Sequence, residues 1–151
     1  MEIEVAQDSG AIDHVAGPGD IPEGVFIDPN DPPKNNFIAA NGDKMKNHGC
    51  AHVGLVDDKG NYLNNVFQVT DVCRPLHSTS KICDTGKEVL FTKTGCTVVP
   101  AGSLSKYLKF CKALAYYQRK GGLYVTKMKV VPPKQPKPST TPGFGGPGVK
   151  P

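Results

Sequence analysis

Two triplets of the form Asp-Ser/Thr-Gly stand in this chain of 151 residues, Asp8-Ser9-Gly10 and Asp84-Thr85-Gly86. The chemistry open to such aspartates is hydrolysis of a peptide bond by a carboxylate pair that shares one proton around a water. One carboxylate takes a proton from the water while the other donates a hydrogen bond to the carbonyl oxygen. Two carboxylates about 3 Å apart cannot both ionise, so their pKa values split. Asp8 suits this chemistry well. A strand can deliver it, the small Ser9 hydroxyl can bond across a paired site, and Gly10 permits the tight turn that aims the carboxylate. Asp84 suits it less. The residues before it, PLHSTSKICDTG (75–86), predict a short helix with Pro75 near its start and Gly86 just past its end. No internal repeat links 1–75 to 76–151, as two fused lobes would require. The expectation is one catalytic aspartate per chain, hence half a site, completed by a second copy.

A third cluster invites metal chemistry. In His48-Gly49-Cys50-Ala51-His52 the three ligand types fall at i, i+2 and i+4, one face of a strand. A structural zinc takes four ligands, and no fourth is evident nearby. The expectation is a strand with partly exposed polar side chains, and neither a metal nor another cofactor.

The elements that must position these residues follow from local pattern. Residues 2–7 alternate weakly and predict a short strand into Asp8. Residues 16–35, crowded with Pro, Gly and Asp, predict a long irregular loop. FIAANGDKMKNHGCAHVGLV predicts strand, turn, strand about Asn41-Gly42, and NYLNNVFQV (61–69) a further strand after the turn Asp57-Asp58-Lys59-Gly60. EVLF and CTVV predict two strands joined at Lys93-Thr94-Gly95. Ser103 is a good N-cap for a helix over 104–119, with Leu104, Tyr107, Leu108, Cys111, Leu114 and Ala115 on one face and Gly121-Gly122 ending it. LYVTKMKVV (123–131) predicts a final strand, and the seven prolines and four glycines from Pro132 onward predict a disordered linker. Many short strands with turn signals make the body mainly β.

Composition narrows the class. The length allows one domain able to fold unaided. No apolar run is long enough for a membrane helix, and the first residues have neither the basic nor the apolar region of a signal peptide, so a cytoplasmic or nuclear setting is expected. Five cysteines, an odd number without a Cys-x-x-Cys pair, predict reduced and mostly buried thiols. The net charge of +4 hides a split: residues 1–105 hold all 14 acids against 8 Lys/Arg, 8 − 14 = −6, whereas 106–151 hold 10 Lys/Arg and no acid, +10. The basic end could meet nucleic acid or an acidic partner electrostatically, with aromatic residues too sparse for a stacking platform.

With these residues in place, the sequence resembles the protease of copia-type retrotransposons, a branch of the retroviral-type aspartic proteases. The family's Asp-Ser-Gly-Ala-x-x-His pattern stands here as Asp8-Ser9-Gly10-Ala11-Ile12-Asp13-His14. AANGDKMKNHG (39–49) is similar to the segment that forms the mobile flap. NNVFQVTDVCRPLHSTSKICDTGKEVLFTKTGCTVV (64–99) follows the family's strand, Leu-x-Ser helix and returning strands in order. GGLYV (121–125) is similar to the Gly-Leu-Tyr element where that polyprotein turns toward its integrase. Gln7 and His77 stand where the family usually has apolar residues.

The resemblance implies a mainly β, retropepsin-like closed subunit over 1–100 with one short helix. A basic helix and strand (101–131) and a Pro/Gly-rich tail (132–151) would follow. It implies an aspartic endopeptidase active as a homodimer on its own polyprotein. Asp8 would be the catalyst, Ser9, Gly10 and Ala11 the active-site loop, and Ala40, Asn41, Gly42, Asp43 and Lys44 the flap, with residues 39–52 closing over the substrate. The alternative is a non-catalytic or fragmentary domain of the same origin that serves as an interaction module.

Overall fold

The computed structural model describes residues 1–30 and 36–134. Its centre is a six-stranded sheet of order β1-β8-β2-β7-β6-β3. These strands are β1 (Ala6–Asp8), β2 (Val15–Ala16), β3 (Ile27–Asp28), β6 (Asn47–Val56), β7 (Tyr62–Thr70) and β8 (Leu76–Ser78). A separate small hairpin joins β4 (Phe37–Ile38) to β5 (Lys44–Met45). The chain is mainly β, as its short alternating runs demand.

The antiparallel pair β6–β7 is the backbone of the sheet, in register from Gly49 opposite Val69 to Val56 opposite Tyr62. The turn between them is tied by Asp57, whose carboxylate accepts the N–H groups of Lys59 and Asn61. Period-two alternation sends Ala51, Val53, Phe67 and Val69 inward, where they cluster with Ala16. Ile21, Val25, Ile27 and Leu55 pack against that cluster, so the irregular segment after β2 covers the core. Phe67 is its largest fully buried member.

The predicted helix over 75–86 divides in two. Residues 76–78 extend as β8, parallel to β1 with Asp8 opposite Ser78, and only Thr79–Asp84 form helix α1. Ser78 caps α1, its hydroxyl accepting the Lys81 N–H. Pro75 therefore precedes a strand rather than the helix, because pairing with β1 satisfies the backbone that another helical turn would have used. Gly86 does end the helix, at φ +77°. Strands β9 (Lys87–Thr92) and β10 (Gly95–Pro100) then form the predicted hairpin.

The predicted helix over 104–119 is not present. Only Ser105–Phe110 turn helically, as a 3-10 stretch, and residues 118–120 are strand β11, paired with β12 (Leu123–Val125) across Gly121-Gly122. Most of the apolar stripe is left in solvent: Leu104 is half-buried, but Tyr107 and Leu108 are exposed and Leu114 is 92% exposed. A helix of this length in water depends on such packing, and Lys106, Lys109 and Lys112 add like-charge repulsion at i, i+3. Ser103 is no cap; the Glu88 carboxylate, reaching over from β9, accepts the N–H groups of Gly102, Leu104 and Ser105 instead. The predicted strand over 123–131 ends at Val125. All but the first three residues of the predicted tail lie outside the described residues. Among the described residues no helix is long and apolar enough to cross a membrane.

Candidate active site

Asp8 closes β1, and its parallel pairing with β8 fixes where the carboxylate emerges. Oδ1 accepts the Gly10 N–H at 2.7 Å, which orients the group, while Oδ2 makes no hydrogen bond among the described residues. Gly10 is not at positive φ; its value is closeness, since a Cβ there would stand 3.2 Å from Asp8 Oδ1.

The support beneath this loop is polar and specific. Gln7 Nε2 donates to Thr79 Oγ1 at 2.9 Å, so the amide below the turn has a partner. The Ser78 N–H donates to His14 Nδ1 at 3.0 Å, which makes His14 a neutral ring with its proton on Nε2. His14 meets His77 edge-on, centroids 4.9 Å apart, and His77 stacks on Phe67 at 5.6 Å. Burial lowers the His14 pKa, with Asp13 opposing and Lys81 reinforcing. Burial, and then the neighbouring His14, push His77 down to about 4. Its Nε2 is buried with no hydrogen-bond partner among the described residues.

Asp8, Gly10 and Ala11 open onto a cleft of about 730 Å³. One wall is the β4–β5 hairpin, through Phe37, Ile38, Ala39, Ala40 and Met45. Ile12, Leu76 and Leu123 also line it, together with the buried Gln68 and Thr70 of β7 and with Val72. Asp13, also at the cleft, is paired with Lys81 at 3.0 Å. Thr70 is fully buried, and its hydroxyl has no partner among the described residues.

The sequence-derived residues are thus partly gathered. Of the five flap residues only Ala40 lines the cleft; Asn41, Gly42, Asp43 and Lys44 form the tip and the start of the returning arm. The arms themselves, 36–39 and Met45, supply the contact surface, a consequence of hairpin geometry that the turn signal alone could have suggested. Ser9 faces away, into a second groove of about 720 Å³ with Cys83, Phe91, Leu108 and Tyr124. Leu123 and Thr70 carried no local signal.

Asp84 belongs to a different constellation. Its carboxylate is paired two-pronged with Arg119, and that hydrogen bonding holds it below the usual carboxylate range. The His48-Cys50-His52 face is broken by a bulge. Pairing passes from Asn47 opposite Thr70 to Gly49 opposite Val69, which leaves His48 as an extra residue out of step with the alternation. His48 meets Asp71 at 3.0 Å, Cys50 is buried and His52 exposed. Among the described residues no three His, Cys, Asp or Glu side chains are grouped to hold a metal ion. The expectation of mostly buried thiols is also corrected: Cys73, Cys96 and Cys111 are exposed and only Cys50 is fully buried. Compared with protein-family models, curated proteins and solved structures, the chain has no match in any of the three.

Proposed function

We propose that this chain is one subunit of a retropepsin-like aspartic endopeptidase of retrotransposon type, working as a homodimer on an extended peptide of its own polyprotein. The observation that carries the reading is the single cleft bounded by the Asp8 loop on one side and the β4–β5 hairpin on the other. A carboxylate lining a groove with a hairpin beside it is what peptide hydrolysis by a shared-proton pair requires. The Gly10 N–H holds one oxygen of Asp8, and the other is available for the proton shared with the second chain's Asp8. The water between the two carboxylates then gives its proton to one as it attacks, while the other polarises the carbonyl.

A second reading, an interaction module without catalysis, is favoured by a different observation. Residues 104–120 leave Tyr107, Leu108, Phe110, Leu114 and Tyr116 exposed among lysines, a surface for an acidic or nucleic-acid partner. Peptidase turnover separates the two. The wild-type chain is expected to cleave a peptide library and Asp8→Asn to be folded and inactive. Equal turnover by both would remove the aspartic mechanism, and no turnover by the wild type at any concentration would leave the module.

A further inference from the structure

Residues 118–125 fold back onto the Asp8 loop through specific contacts. Arg119 lays its guanidinium on the Asp84 carboxylate, Nη1 to Oδ1 at 2.6 Å and Nη2 to Oδ2 at 3.0 Å, while its Nε donates to the Gly121 carbonyl at 2.7 Å. One side chain therefore grips helix α1 and its own turn together. Tyr124 Oη adds a second tie, donating to Cys83 Sγ at 3.7 Å. Gly122 lies so close to the Asp8 loop that a Cβ there would stand 2.8 Å from Ile12 Cγ2, so the turn seats only because the residue is glycine. The next residue, Leu123, lines the cleft along with Ile12 and Leu76.

Single exposed ion pairs contribute little as a rule. A two-pronged Arg–carboxylate pair is the exception, because it fixes direction as well as distance. Here it joins segments 35 residues apart. The depressed Asp84 carboxyl keeps the pair ionised on the acid side of neutrality.

We propose that the β11–β12 hairpin is a built wall of the Asp8 cleft, latched by Asp84 and Arg119, and that Leu123 on it determines specificity by receiving an apolar side chain of the bound peptide. Asp84 and Arg119 are positioning residues, acting through the hairpin. The apolar chemistry follows from the side chains that line the cleft with Leu123, namely Ile12, Leu76, Ile38 and Met45, whereas its two carboxylates are already engaged, Asp8 as the proposed catalyst and Asp13 as the partner of Lys81. The inference rests on the peptidase reading for the nature of its ligand.

The test uses the full chain carrying Asp8→Asn, so that peptide stays intact. Two capped hexapeptides serve as probes, one with leucine and phenylalanine at its centre, the other with alanine at both positions. Binding is followed by the methyl resonances of Ile12, Leu76 and Leu123, and latch opening by amide exchange over residues 118–125. The Leu-Phe probe is expected to bind at least about tenfold tighter than its alanine counterpart, and Leu123→Ala to reduce that preference to about threefold or less. Adding Asp84→Asn or Arg119→Gln is expected to speed exchange over 118–125 about tenfold and erode the same preference. The swap Asp84→Arg with Arg119→Asp re-forms the ion pair without the bond to the Gly121 carbonyl and is expected to recover both in part, which a general loss of stability would not do. An unchanged preference in Leu123→Ala, or unchanged exchange in Asp84→Asn, overturns the wall. If the active chain turns over peptide with a preference indifferent to Leu123, the wall falls and the peptidase stands. Binding governed by Leu123 without turnover upholds the wall and sinks the peptidase. No binding and no turnover of either probe sinks both.

Discussion

Thr70 and His77 are the residues whose chemistry is least matched to their surroundings. The Thr70 hydroxyl, on a residue lining the cleft, is buried without a partner among the described residues, so its desolvation is uncompensated there. Thr70→Val keeps the shape and removes the orphan; the expected outcome is a gain of about 1 kcal/mol in urea unfolding. His77 is neutral in the fold, its pKa driven from 6.5 to about 4 by burial and then by His14. Over that window the unfolded chain binds the extra proton and the folded chain does not. Stability is therefore full above pH 6.5, declines as pH falls toward 4, and levels off below. The expected loss is about 2 kcal/mol once solvent screening of the partly exposed ring is counted. His77→Leu should flatten this slope in thermal unfolding followed across pH 7 to 4. An unaltered slope would assign it to other groups, of which His14, facing His77 directly, and the Asp13–Lys81 pair beside it come first.

At the scale of elements, the sheet rests on few large side chains. Phe67 contributes to the core on β7 and carries His77 stacked on it, so Phe67→Ala removes a side-chain contact between the core and the strand beside Asp8. A cost of about 3–5 kcal/mol is expected, measured by denaturant unfolding, and a chain this size is then close to unfolded. Gly86 makes a smaller, conformational demand. A Cβ there meets nothing within 4 Å, yet φ is +77°, so Gly86→Ala should cost about 1 kcal/mol through backbone strain alone. An unchanged midpoint would mean that the helix end relaxes to negative φ.

For the whole molecule, Asp8 is the cleft aspartate that carries no ion pair among the described residues, since Asp13 is held by Lys81, and this makes assembly a condition of the proposed chemistry. Specific activity should rise with chain concentration until the dimer saturates, and its pH profile should be bell-shaped on the acid side of neutrality, reporting the macroscopic constants of the pair. Constant specific activity on dilution, with a single species in ultracentrifugation, would remove the shared site. The acid optimum falls in the window where His77 lowers stability, so activity and folding should part company below about pH 5. Sequence by itself determined the elements whose signals are local. The strand delivering Asp8 was legible only in part, predicted over 2–7 and found at Ala6–Asp8 because β8 pairs with those three residues alone; the hairpins at Asn41-Gly42 and Lys93-Thr94-Gly95 were legible from their turns, and the stop at Gly86 from glycine's place after a helix. Only the tertiary structure decided the rest. Residues 104–119 carry a helical pattern, but beyond Leu104 their stripe stays exposed, so the pattern yields to the Glu88 carboxylate and a hairpin. Asp84 reads locally as a helix end, while its partner Arg119 stands 35 residues away. Leu123 lines the Asp8 cleft on a hairpin that this pair ties to helix α1. Periodicity and turn chemistry depend on neighbours in sequence and can be read there; burial and ion pairing depend on neighbours in space, which the folded chain alone creates.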